Sequence, residues 1–98
     1  MKEDKAKIVI ELLVNNHAGT MSHVTGLFSR RGYNLEGILC GPTNDESKSL
    51  MLLLVDDNQL IEQIIKQLEK LFDVISVQIN PTINKQVFYN LKEFGERK

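Results

Sequence analysis

Two stretches with a helical repeat, each set between runs of strand character, most restrict what this chain can fold into. From Gln59 to Phe72 the apolar residues Leu60, Ile61, Ile64, Ile65, Leu68, Leu71 and Phe72 recur at helical spacing, with Glu62, Lys66, Glu69 and Lys70 on the wet side. This predicts a helix opened by Asp56 or Asp57 as cap. From Thr20 to Arg31, Met21, Val24, Leu27 and Phe28 repeat in the same way, with Thr20 as the expected N-cap and Gly32 as the stop. Arg30 and Arg31 suit the negative end of that helix.

The segments around these helices read as strands. Lys7–Val14 is apolar at every second residue, at Ile8, Ile10, Leu12 and Val14. Asn34–Gly41 is closed by Pro42, Ser49–Val55 is apolar throughout, and Val74–Asn80 ends at Pro81. The order β-α-β-β-α-β predicts an α+β, ferredoxin-like fold, a four-stranded antiparallel sheet with two helices on one face. The expected organisation is an extension over 1–6, a domain over 7–80 and a tail over 81–98. Val87, Phe88, Leu91 and Phe94 of the tail fit a short amphipathic helix, which either packs back on the sheet or docks a second protein.

Two features point to association. The Ser49–Val55 strand is apolar on both faces, whereas helices cover only one. The Asn34–Gly41 strand belongs at a sheet edge and carries a single charge, Glu36, so it invites pairing with its own copy. A homodimer is expected.

Bulk properties exclude several functions. A formal net charge of -1 lacks the basic excess of a nucleic-acid binder. The single cysteine, Cys40, allows neither an internal disulfide nor a Cys-based zinc cluster, and within a strand it reads as a small buried or half-buried residue. His17 and His23 have no carboxylate at metal-ligand spacing, so no metal site is expected. The serines lack a matching base and orienter, so no catalytic residue is expected either. No run approaches membrane length and the charged start does not fit a signal peptide, which points to the cytoplasm. An acylphosphatase-like enzyme would need an Arg in the first turn, and an RNA-binding sheet would need exposed aromatics on its strands. Neither is present in NNHAGT, KIVIELLV or SLMLLLV.

The first turn carries the candidate site. Asn15, Asn16, Gly19 and Thr20 are ordinary residues for a strand-to-helix connection. They also suit a ligand: Gly19 permits close backbone approach, and the N–H groups near Gly19–Met21 at a helix start suit a small carboxylate. Asn34, at the start of the edge strand, would face the first turn of a second copy if two such strands paired. The arrangement offers binding of a small acid and no group placed for chemistry.

The residues N-x-x-G at Asn16–Gly19, GLFSRRGYN at Gly26–Asn34, LEGILCGP at Leu35–Pro42 and QLIEQIIKQLEKLFDVISV at Gln59–Val77 carry a family resemblance. Ile8–Asn80 resembles an ACT domain, and more closely the short form of the regulatory (small) subunit of acetohydroxyacid synthase, also called acetolactate synthase. The resemblance implies a non-catalytic subunit that binds and activates a large catalytic subunit and confers feedback inhibition by valine or another branched-chain amino acid. Thiamine diphosphate, magnesium and FAD would belong to that partner, with no cofactor on this chain. By position, Asn16 and Gly19 match the family's first-turn ligand residues and Asn34 the one across the dimer interface, with Thr20 and Met21 lining the same site. The alternative is a stand-alone amino-acid-sensing ACT protein with a different target.

Overall fold

The computed structural model describes residues 6–91 and 95. Its elements are β1 (Lys7–Asn15), α1 (Thr20–Arg30), β2 (Leu35–Pro42), β3 (Lys48–Asp56), α2 (Ile61–Glu69), β4 (Val74–Ile79) and a short α3 (Gln86–Tyr89). The four strands form one antiparallel sheet in the order β2-β3-β1-β4, with β1 and β3 paired from Lys7–Asp56 to Asn15–Lys48. This is the ferredoxin-like arrangement expected from the alternating periods, with β2 at one edge and β4 at the other.

Strand alternation decides what each face buries. Ile10, Leu12 and Val14 of β1 and Met51, Leu53 and Val55 of β3 point to the helix side. There they meet Val24, Leu27 and Phe28 of α1 and Ile61, Ile64 and Leu68 of α2. The other face carries Val9, Leu54, Leu39 and Leu52, and residues after β4 return across it to add Ile83 and a buried Phe88. Phe88 has room because β2 has a glycine beneath it: a Cβ at Gly37 would lie 2.7 Å from its Cδ1. Glu11, a charge on that same face, accepts hydrogen bonds from Gln78 Nε2 at 3.0 Å and Asn80 Nδ2 at 2.7 Å. Val87 and Leu91 stay exposed, and the predicted helical position Phe94 lies outside the described residues.

The end of α1 is a Schellman motif. The N–H of Gly32 bonds to the Ser29 carbonyl at 3.1 Å and that of Tyr33 to the Phe28 carbonyl at 3.0 Å. Gly32 takes the left-handed conformation, with φ 67°, that the motif requires. The hydrophobic contact that accompanies the motif is an edge-to-face pair of Phe28 and Tyr33, with ring centroids 5.7 Å apart. The Tyr33 hydroxyl then donates to the Asp56 carbonyl at 2.6 Å, which ties α1 to the end of β3. Burial, and next the charges of Asp56 and Asp57, push the phenol up from its ordinary pKa. Beside it, Lys7 bonds Asp56 and also Glu36 at 2.6 Å, and these two hydrogen bonds, Asp56 first, raise its pKa. Both shifts are upward, so what Tyr33 and Lys7 contribute to this latch is lost as pH rises past about 10. The pair with Lys7 also neutralises Glu36, the one charge on β2.

Strand ends shift from the sequence reading by a residue, Asn34 falling just before β2, and the helix ends differ more. The N-cap of α1 is Gly19, with φ 92° and no side-chain cap; Thr20 is the first helical residue and turns its hydroxyl back to the Asn15 carbonyl at 2.9 Å. Neither Asp56 nor Asp57 caps α2, because Asp56 closes β3 and the helix begins later, after Asn58 Oδ1 has accepted the Leu60 N–H at 2.8 Å. The helix also stops at Glu69, which leaves Phe72 91% exposed rather than on the apolar face.

Candidate functional site at the first turn

The turn between β1 and α1 is held at both ends by backbone bonds from distant segments. The Asn15 N–H donates to the Asp73 carbonyl, and that of Asn16 to the Ser47 carbonyl, both at 2.8 Å. Asn16 Nδ2 reaches the Glu46 carbonyl at 3.3 Å. Loops after α2 and between β2 and β3 thus fix where the turn stands.

From this frame the chain enters α1 through Gly19, whose φ of 92° is disfavoured for any residue with a Cβ. A helix start leaves its first amides without intrahelical acceptors. Here the Thr20 N–H finds the His17 carbonyl at 3.2 Å, and the first helical bond runs from His23 to the Gly19 carbonyl at 2.9 Å. The Met21 and Ser22 N–H groups remain as donors at the positive end of the helix.

A cavity of about 190 Å³ opens against this turn. Asn16, Gly19, Thr20 and Met21, four of the five candidate residues, line it. Thr20 is buried in its wall and Met21 is exposed at its mouth. Asn34 is exposed and stands apart, before the start of β2, whereas Cys40 near the other end of that strand is the one that borders the cavity. Six residue steps of extended chain separate them, about 20 Å. Within one protomer Asn34 is therefore not part of the cavity.

Sequence reasoning missed several residues here. Cys40 is exposed on the edge strand, not buried or half-buried as its place in a strand suggested. Ser49 and Met51, buried residues of β3, form the floor, and only their pairing with β2 and β1 puts them there. Asp73 is the larger surprise. Its side chain is 3% exposed and sits between His17 Nε2, 2.8 Å from Oδ1, and His23 Nδ1, 3.1 Å from Oδ2. The contact from His17 is close but too poorly aligned to be a hydrogen bond, whereas His23 makes one. One buried carboxylate thus faces His17 of the turn and His23 of α1. An acid between the apolar end of α2 and β4 is the only sequence signal for it. Among the described residues no group of three or more His, Cys, Asp or Glu side chains is placed to hold a metal ion. No helix is long and apolar enough to cross a membrane, again among the described residues.

Comparison with known proteins places this chain in a family. The AHAS small subunit-like ACT domain matches residues 10–76. The isozyme 1 acetolactate synthase small subunit of Escherichia coli strain K12 is 55% identical over 73 residues, covering 74% of this chain and 76% of that one. The isozyme 3 small subunit of the same strain is 46% identical over 70 residues, covering 70% of this chain and 43% of the relative. The crystal structure of the acetolactate synthase small subunit from Thermotoga maritima superposes with a TM-score of 0.71 at 34% identity, over 79% of this chain and 49% of that one. The chain thus spans most of the first relative and under half of the second. On the matched turn, helices and edge strand, it belongs to the family of ACT domains found in the small subunits of acetohydroxyacid synthase.

Proposed function

We propose that this chain is the regulatory subunit of an acetohydroxyacid synthase, a homodimer that binds and activates the catalytic subunit and confers feedback inhibition by L-valine or a related branched-chain amino acid. The observation that carries the reading is the cavity at the start of α1, bordered by unsatisfied helix amides on one side and by the edge strand β2 on the other. An amino acid fits that chemistry. Its carboxylate takes the Met21 N–H at the positive end of α1, and its aliphatic side chain meets Val14 and Met51.

The edge supports the dimer. Along β2, the one charge is neutralised by Lys7, and Leu39, Pro42, Leu50 and Leu52 border an open apolar groove of about 280 Å³. Two copies of β2 paired antiparallel about a two-fold axis would set the Asn34 end of one strand beside the Cys40 end of the other. Asn34 would then complete the partner's cavity, with its amide facing the ligand's ammonium or carboxylate. Each dimer would hold two such sites.

The chemistry is the partner's. The catalytic subunit joins pyruvate to pyruvate or to 2-oxobutyrate, with thiamine diphosphate, magnesium and FAD bound on that subunit, in the cytoplasm. Valine bridging two protomers would favour a dimer geometry that inhibits the enzyme, and linkage then requires the enzyme to alter valine affinity by the same factor. The test is reconstitution with the catalytic subunit from the same genome. Addition of this chain is expected to raise acetolactate formation several-fold, and L-valine but not D-valine to reverse the gain. Absence of both association and activation would instead favour a stand-alone sensor.

A further inference from the structure

A second concavity, of about 310 Å³, lies between the C-terminal end of α1 and the length of α2. Tyr33, Leu60 and Ile64 give it an apolar floor, and Leu60 is 43% exposed there. Arg31, Lys66 and Lys70 supply its charge, and no acidic residue lines it. Lys66 and Lys70 are four apart, on one side of the helix. Among the described residues, none of the three cations is in an ion pair; the bridges that form involve Lys7, His17, His23 and Lys48. Attraction to the helix C-termini accounts for basic residues in these turns, but not for an exposed leucine set among them.

The character of the groove selects its occupant. Its cations are all exposed, so each contact with a small anion would be screened and weak. A polypeptide spreads several such contacts around a seated apolar side chain, which is how a polar rim and an apolar centre act together. We infer that this groove docks an acidic segment of the catalytic subunit, an apolar side chain resting on Leu60 and Ile64 while carboxylates meet Arg31, Lys66 and Lys70. The inference rests on the reading of the chain as a regulatory subunit. It also gives that reading a route: α1 carries the amino-acid turn at one end and Arg31 at the other, about 16 Å away along a single rigid helix. A displacement of α1 reaches both sites.

The test uses the full chain with the double substitution Lys66→Glu/Lys70→Glu, and separately Arg31→Glu on the opposite wall. Affinity for the purified catalytic subunit is measured at low and high salt, beside thermal unfolding with and without L-valine. The expected result is at least tenfold weaker association and a shallower salt dependence for both variants, with the valine-induced shift in unfolding kept. Wild-type affinity in both variants overturns the proposal. So does wild-type binding of inorganic pyrophosphate that the variants lose while still associating normally, since the groove is then a small-anion site. If the unsubstituted chain does not associate at all, the regulatory-subunit reading itself fails, a result distinct from failure of the groove alone.

Discussion

L-Valine is expected to raise the unfolding midpoint of this chain by roughly 10–20 °C at about a hundred times its dissociation constant. A ligand bound only to the native state adds about 2.7 kcal/mol per site at that excess. In a domain of this size each kcal/mol is worth about 4–8 °C. The shift depends on the chirality and the side chain of the ligand. D-valine cannot place carboxylate, ammonium and isopropyl group together against the α1 amides, Asn16 and the Met51 floor, and L-lysine would bury a charge beside Val14 and Met51. Differential scanning calorimetry with the three ligands checks this. A shift of equal size with all three would remove the first-turn cavity as the site.

The second large effect is structural. Phe28→Ala is expected to lower stability by about 3–5 kcal/mol, the range for deleting a fully buried phenylalanine. Phe28 is 1% exposed, packs edge-to-face on Tyr33, and lends its carbonyl to the Schellman motif that ends α1. Its loss leaves a cavity under the helix that follows the first turn. Phe72→Ala, which removes the same atoms from a residue 91% exposed, is expected to stay within about 0.5 kcal/mol. Urea unfolding of both variants separates the two cases, and equal losses would contradict the placement of Phe72 in solvent.

That pair also marks where sequence alone stops. The strands and helices were legible because alternation at Ile8–Val14 and helical spacing at Ile61–Leu68 are local signals of what faces the core. Phe72 continued the helical spacing on paper, yet the helix ended at Glu69 and the residue passed into a turn. Thr20 looked like a cap by residue type; the backbone used Gly19 instead and spent the hydroxyl on Asn15. Four of the candidate residues could be read from the turn because they are neighbours in sequence as well as in space. Asp73, Ser49 and Met51 could not, since strand pairing and loop closure bring them there from distant parts of the chain. Asn34 is a further kind of case, since one protomer gives it no contact with the cavity and its role rests on symmetry.

The measurement that tests the account most directly is therefore valine titration of mixed dimers. Asn16→Ala and Asn34→Ala chains each carry one lesion, and each homodimer is expected to bind poorly. If a site is built from the turn of one protomer and Asn34 of the other, every mixed dimer contains one doubly altered site and one intact site. Equal amounts of the two chains, refolded together, should then recover about a quarter of the wild-type valine stoichiometry, with wild-type affinity, by calorimetry. No recovery in the mixture, or full binding by Asn34→Ala alone, would contradict a site shared across the dimer.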